Sequence, residues 1–269
     1  MSPRSMKGLM APVLAIAVTA VACGGGSKQE AAPSSSAAPS GAPAASAVDP
    51  NTAGNITGAI KLEGEAPKPD AIKMNADPVC VKEGKGTTTE FILTGDGGAL
   101  QNVFVYVKDG LGNRTFPTPS SSVVLDQKGC HYRPHVFGIM VGQPLEIVNS
   151  DPTLHNIHAM PKGNAEFNTG QPIQGMKMTH TFTAKEVMVP FKCDVHGWMN
   201  AYVGVLDHPY FATTEKDGKF ELKDLPAGTY TIEAWHEKLG AQTVSVTLGQ
   251  KETKDISFTF KAPAVTTNN

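Results

Sequence analysis

The sequence predicts an all-β protein, and three observations lead to that fold class. Apolar residues mostly occur in short runs that alternate with polar ones, as half-buried strands do, for instance at 56–62. Glycine and proline, 27 and 20 of the 269 residues, separate these runs. Helical periodicity is nearly absent, and only a short helical turn is predicted, near residues 77–83.

The first predicted unit, residues 55–206, is a series of strands. They are expected at 56–62, 103–107, 123–125, 145–148, 178–183, 187–193 and 201–206. Short alternating or β-branched runs with turn residues between them are typical of a β-sandwich.

A second, smaller β-sandwich unit is predicted at 207–262. Asp217-Gly218 predicts a hairpin turn that joins strands at 211–214 and 219–222. Further alternating strands follow it. A unit of this size is only marginally stable alone, so we expect it to pack on the first unit. Residues 263–269 are expected to be a disordered tail.

The N-terminal region predicts export and anchoring. Residues 1–22 have a short basic start and a small-residue, apolar stretch, which is typical of a signal peptide. Small residues directly before Cys23 resemble a bacterial lipoprotein cleavage site, which makes Cys23 the expected lipidation site; an ordinary secretory signal is the alternative. Residues 23–54, rich in Ala, Pro, Ser and Gly, predict a disordered tether. The expected location is the periplasmic side of the cell envelope, and Gly24 favours the outer membrane.

Composition excludes several classes of function. A formal net charge of −2 gives no basic surface for a nucleic-acid partner. No apolar run reaches the ~18 residues of a membrane-spanning helix. The sequence contains no C-x-x-C-H haem attachment motif and no glycine-rich phosphate-binding motif.

The segment that carries chemistry is a C-x-x-H-x-x-M motif after a predicted strand. Cys193, His196 and Met199 offer a thiolate, an imidazole and a thioether, and Gly197 permits a tight loop. This soft ligand set is that of blue-copper electron-transfer sites, which need a second imidazole. His155, at the start of an upstream strand, can supply it.

These two segments together resemble the cupredoxin family, in particular amicyanin, pseudoazurin and plastocyanin. The resemblance implies a Greek-key sandwich that holds one type 1 copper ion and transfers single electrons. The implied ligands are His155, Cys193, His196 and Met199. It also implies that Asn156 braces the ligand loop, and that electrons leave through an exposed edge of His196. Gly197 and Trp198 would then form an apolar docking patch for a transient redox protein such as a c-type cytochrome.

Other interpretations remain open at this stage. Zinc also accepts cysteine and histidine, although methionine is a poor zinc ligand. The copper could be cargo for delivery, or the protein could be a structural or glycan-binding lipoprotein. An enzyme is not expected, because the second histidine cluster of a multicopper oxidase is missing.

His131 and His135 could form a second metal site, but surface or packing roles are favoured. His158 is expected to lie outside the ligand set.

Two cysteines remain once Cys23 is assigned to the lipid anchor and Cys193 to the metal. In an oxidising compartment Cys80 and Cys130 can pair, so a disulfide between them is predicted, with two free thiols as the alternative.

The second unit resembles the carboxypeptidase regulatory-like domain, a transthyretin-type β-sandwich. The resemblance is carried by 217–222 and by Leu225-Pro226-Ala227-Gly228-Thr229-Tyr230-Thr231. The unit is short for a complete copy, and residues 55–62 could supply a missing strand.

Overall fold

The computed structural model describes residues 48–264, and these residues form sixteen β-strands and one short α-helix. The all-β prediction is therefore confirmed. The signal peptide, Cys23, most of the tether and residues 265–269 lie outside the described residues. Within 48–264, no helix has the length and apolarity needed to cross a membrane.

Strands β3 to β11 form a sandwich that we call the site sandwich. One sheet has the order β5-β11-β10-β7-β8 and the other β4-β3-β6-β9. Both sheets contribute to one buried apolar cluster, for example through Leu125 and Val203. The strands are β3 (Val123–Gln127), β4 (Tyr132–Arg133), β5 (Val136–Met140), β6 (Pro144–Asn149), β7 (His155–Ala159), β8 (Phe167–Gln171), β9 (Lys177–Thr181), β10 (Glu186–Lys192) and β11 (Asn200–Leu206).

The remaining strands form a second sandwich, which we call the C-terminal sandwich. Its sheets have the orders β13-β1-β16 and β12-β2-β14-β15. A second apolar cluster fills the space between them. The strands are β1 (Gly54–Glu63), β2 (Phe104–Asp109), β12 (Phe211–Thr213), β13 (Lys219–Leu225), β14 (Gly228–His236), β15 (Gly240–Leu248) and β16 (Thr253–Lys261).

The C-terminal sandwich is discontinuous in sequence. As anticipated, residues 55–62 supply a strand: β1 lies between β13 and β16. β2, however, also pairs with β12 and β14, although the sequence placed it in the first unit. The two sandwiches therefore cannot be separated by one boundary between residues 206 and 207, because each sheet of the C-terminal sandwich contains a strand from the N-terminal side of that boundary.

Two local expectations also differ from the structure. The Asp217-Gly218 turn does not close a hairpin, because β12 pairs with β2 whereas β13 pairs with β1. The last residues of the expected tether have defined hydrogen bonds: the backbone N–H groups of Thr52 and Ala53 both donate to the Asp49 carbonyl, and β1 starts at Gly54.

A segment that we call the strap, residues 70–90, packs on the site sandwich. Its ends meet through an Ala71–Thr88 bridge, and Met74 belongs to the core cluster of the site sandwich. The strap contains α1 (Pro78–Glu83), the helical turn that the sequence predicted. Asp77 caps this helix by accepting from the Val79 N–H at 2.8 Å, and Pro78 suits its first turn. A turn of 3-10 helix, Asp96–Gly98, follows before β2.

The two sandwiches meet at a small aromatic cluster. Phe104 on β2 is fully buried there beside Val136 and Leu206 of the site sandwich. Gly204 allows this approach, because a Cβ atom at that position would collide with the Phe104 ring. This contact fixes a strand of the C-terminal sandwich against β5 and β11.

Candidate metal centre

The ligand loop folds back over Cys193, directly after β10. The Cys193 N–H donates to the Met199 carbonyl at 3.1 Å, and the Met199 N–H donates to the His196 carbonyl at 2.9 Å. The His196 N–H donates to the Cys193 Sγ at 3.3 Å. This tight turn brings the thiol and the imidazole of the C-x-x-H motif to the same place.

His155 reaches that place from the neighbouring strand β7, which pairs with β10. Its Nδ1 lies 3.0 Å from the Nδ1 of His196, which lies 3.9 Å from the Cys193 Sγ. The three ligand atoms are all within 4.8 Å of one another. The three residues are 0%, 1% and 3% exposed in the order His155, Cys193, His196. Met199 is buried in the same apolar cluster as Cys193.

Each imidazole is held on its outer side by a carboxylate that the sequence analysis did not identify. Asp151 Oδ2 lies 3.0 Å from His155 Nε2 and also accepts from the Cys130 N–H at 2.7 Å. Asp77 Oδ2 lies 3.0 Å from His196 Nε2. Asp151 precedes His155 by four residues, a spacing that could have suggested the contact. No sequence spacing links Asp77 to His196.

The surroundings favour the metal-binding form of the thiol. Burial alone raises the pKa of Cys193, but hydrogen bonds from His155 and from backbone N–H groups lower it below its usual value. Burial lowers the pKa of His155, but its hydrogen bonds with Asp151 and Cys193 outweigh burial and raise that pKa to about 8. Burial, and the charge on His155, lower the pKa of His196. The cluster thus favours a thiolate, which is the nucleophilic and metal-binding species.

The two carboxyl groups are favoured in the ionised form. For both Asp77 and Asp151, burial raises the pKa, but hydrogen bonds to each carboxylate outweigh it and leave the pKa below its usual value. For Asp77 the strongest of these comes from Thr153, and for Asp151 from His155.

Asn156 ties the ligand loop to β7. Its Oδ1 accepts from the Asp194 N–H at 2.7 Å and lies 3.3 Å from the Cys193 Sγ. Its Nδ2 donates to Asn168 on β8 at 2.6 Å. The residue therefore lies where a bracing role requires it.

The expectation of an exposed His196 edge is wrong. The strap covers this imidazole: besides Asp77, the Cys80 Sγ lies 3.6 Å from His196 Nε2. Gly197 is exposed, and Trp198 is half-buried with its Nε1 donating to the Cys130 carbonyl at 3.1 Å. The motif around Cys193 could not predict this cover, because the strap comes from a distant part of the chain.

Cys80 and Cys130 form a disulfide, with Cα atoms 5.5 Å apart and a sequence separation of 50. Among the described residues Cys193 is the free cysteine. The part of the chain that the structure describes contains two other groups of possible ligand atoms, Asp77–Cys80–His196 and Cys130–Asp151–His155. Each relies on a disulfide sulfur, so neither competes with the first cluster while the disulfide is intact.

The other histidines have partners outside this cluster. His158 contacts Asp194 at 2.9 Å and Glu166 at 2.8 Å, away from the Cys193 sulfur. His131 donates to the Gly129 carbonyl, and His135 lies between the Asn200 carbonyl and Glu237. Within residues 48–264, neither His131 nor His135 belongs to a group of three ligand atoms close enough to share an ion.

Comparisons with known proteins address the two resemblances separately. Residues 198–261 match the family model of the carboxypeptidase regulatory-like domain, which confirms that resemblance for the C-terminal strands. No curated protein matches the chain.

Several solved structures are similar to the chain at low identity. One is the copper-containing nitrite reductase NirK from Thermus scotoductus SA-01, with 18% identity, a TM-score of 0.31, and coverage of 56% of this chain but only 28% of that enzyme. A variant of amicyanin in its Cu(I) form has 18% identity and a TM-score of 0.29, covering 38% of this chain and 97% of amicyanin. A purple cupredoxin from Nitrosopumilus maritimus has 21% identity and a TM-score of 0.27, covering 32% of this chain and 98% of that protein.

Proposed function

We propose that this protein is a type 1 (blue) copper protein that transfers single electrons in the bacterial cell envelope. The observation that carries the proposal is the convergence of His155, Cys193 and His196 at one buried point. One thiolate and two imidazoles, with Met199 buried beside them, are the donor set that selects copper in such sites. The residues therefore fit this ion.

A copper ion bound there supplies a one-electron redox couple, Cu(II)/Cu(I). The chain's own part is to hold the donors in place and to exclude water. The hydrogen bonds within the ligand loop hold Cys193 and His196, whereas strand pairing holds His155. Donors held in this way need little rearrangement when the charge of the ion changes, which favours a carrier over an enzyme.

The proposed setting is a lipid anchor at Cys23, on the periplasmic side of the membrane and with the outer membrane favoured. The proposed partner is a transient redox protein such as a c-type cytochrome. We place its docking at Gly197 and Trp198, since the Trp198 ring lies 5.1 Å from that of His196 and remains partly exposed.

The proposal is tested by titrating the metal-free protein with Cu(II). Intense visible absorption from thiolate-to-copper charge transfer, with a narrow EPR hyperfine splitting, is expected. The variant Cys193→Ser should lose this colour entirely. His158→Gln, on the same strand as His155 but outside the cluster, is the matched control and should keep it.

The alternatives give different results. A pale copper complex supports copper binding for delivery, and no copper binding supports a structural or glycan-binding role. Colour that survives Cys193→Ser overturns the ligand assignment. Rapid electron exchange with a c-type cytochrome separates a carrier from a delivery protein.

A further inference from the structure

We infer that Asp77 is a positioning residue for the proposed copper site, which it biases towards the divalent ion through the outer nitrogen of His196. This inference rests on the proposed function and goes beyond it, because Asp77 belongs to neither ligand segment. It comes from the strap, which the disulfide holds against the site.

The carboxylate of Asp77 is itself held in one orientation. Its Oδ1 accepts from the Val79 N–H at 2.8 Å, while its Oδ2 accepts from the Thr153 hydroxyl at 2.7 Å and contacts His196 Nε2 at 3.0 Å. A carboxylate oxygen accepts, so His196 carries its proton on Nε2. The lone pair of its Nδ1 then faces His155 and Cys193, as a metal ligand requires.

The same arrangement occurs at His155, whose Nε2 contacts Asp151. Two carboxylates and a thiolate therefore place three formal negative charges around the ligand atoms. The side chains of Asp77 and Asp151 are 16% and 5% exposed, so water screens these charges incompletely. Such surroundings stabilise a doubly charged ion more than a singly charged one.

One disulfide connects the two carboxylates. Cys80 lies in the helix that Asp77 caps, and the N–H of its partner Cys130 donates to Asp151 at 2.7 Å. The bond therefore sets the outer contacts of both imidazoles. Through this arrangement, the covered edge of His196 influences the relative affinity of the site for Cu(II) and Cu(I).

The test compares Asp77→Asn with the unchanged protein. Asparagine caps helices as well as aspartate does, so α1 should persist while the charge is lost. Cu(II) affinity, measured by competition with a chelator, should fall about 10-fold to 100-fold, the range typical of lost outer contacts to ligands. Cu(I) affinity should change less. Each tenfold fall in the ratio of the two affinities corresponds to a rise of about 59 mV in reduction potential.

Two further variants and a metal-free measurement sharpen this test. Asp70→Asn removes a charge from an exposed position in the same strap and should leave the potential unchanged. Thr153→Val keeps the Asp77 charge but removes the contact that orients it, and should give a smaller rise. Nitrogen NMR of the metal-free protein should find His196 protonated on Nε2, and this preference should weaken in Asp77→Asn.

Failure of the inference can be distinguished from failure of the proposed function. A blue protein whose Asp77→Asn variant keeps the same affinity ratio overturns the inference alone. A protein that forms no blue complex overturns both. A potential shift in Asp70→Asn equal to that in Asp77→Asn also overturns the inference, since general charge would then explain the effect.

Discussion

At the scale of single residues, Asn156 shows how a polar side chain next to a proposed ligand organises the candidate site. Its Oδ1 satisfies a backbone N–H of the ligand loop and contacts the sulfur, so one atom connects β7 with the loop. A buried donor that loses its partner costs more than the bond itself contributes, because its desolvation is no longer offset.

We predict that Asn156→Ala lowers the free energy of unfolding of the metal-free protein by about 2 kcal/mol, the typical cost of an unsatisfied buried donor. Urea unfolding monitored by circular dichroism measures the change. The control Gln174→Ala removes an exposed amide of the same sandwich that does not contact Asn156, and should cost less than about 0.5 kcal/mol. Equal losses in both variants contradict a special role for Asn156.

A second prediction at this scale concerns pH. His236 is 1% exposed, and its Nδ1 accepts from the N–H groups of Lys238 and Leu239 at 3.2 and 3.3 Å. Burial lowers its pKa to about 4. Between about pH 6.5, the ordinary pKa of histidine, and about pH 4, His236 is protonated in the unfolded chain but neutral in the folded chain. The free energy of unfolding therefore falls as the pH drops through this range.

The expected contribution is a loss of about 3 kcal/mol over that range. Denaturant unfolding at several pH values measures it. His236→Asn keeps an acceptor but cannot titrate, so its stability should fall less steeply with acid. Identical pH profiles for the two proteins are incompatible with a titrating His236.

The proposed ligand residues could be named from sequence because metal chemistry limits the choice of side chains, and the structure brings His155, Cys193 and His196 together. Cys193, His196 and Met199 share one loop, and only His155 had to be found elsewhere. Asp77 was not predictable, because an aspartate before a helical proline indicates a cap and says nothing of a histidine 119 residues away.

At the scale of elements, the strap determines how accessible the site is. The six-residue helix α1 has Cys80 as its one buried residue, and a helix so short is unstable in isolation. The disulfide and the buried Met74 hold it against the site sandwich. The cover over His196 therefore depends on the Cys80–Cys130 bond.

We predict that the double variant Cys80→Ala/Cys130→Ala loses about 4 kcal/mol of stability, the loop-entropy value for a bond that spans 50 residues. The bound copper should also be removed faster by a chelator, because the strap loosens over His196. Reducing the disulfide of the unchanged protein with a thiol should have the same effect. Asp70→Asn, which leaves the bond intact, serves as the control, and chelation rates unaffected by bond removal contradict the cover.

At the scale of the whole molecule, sequence patterns identified the strands better than their partners. Alternation at 56–62 and the β-branched, aromatic run at 103–107 correctly predicted strands, but both are local properties and do not specify which sheet a strand joins. The Asp217-Gly218 turn was wrongly interpreted as a hairpin for the same reason: a turn sequence fixes local geometry and does not specify that β12 pairs with β2 whereas β13 pairs with β1. Only the resemblance of the C-terminal unit to a longer domain suggested that it needed an outside strand.

This discontinuity predicts that residues 207–262 do not fold alone. Without 54–63 the sheet β13-β1-β16 loses its central strand, with Ile56 and Ile60 both fully buried. Without 104–109 the other sheet loses β2, which separates β12 from β14. Burial of one isoleucine side chain contributes about 2 kcal/mol, so these losses exceed what so small a unit can tolerate.

Circular dichroism and guanidinium titration should find no cooperative transition in fragment 207–262, whereas the chain 48–264 should unfold cooperatively. A sharp transition in the fragment would mean that β12 to β16 suffice and that β1 and β2 are dispensable for folding, which contradicts the prediction.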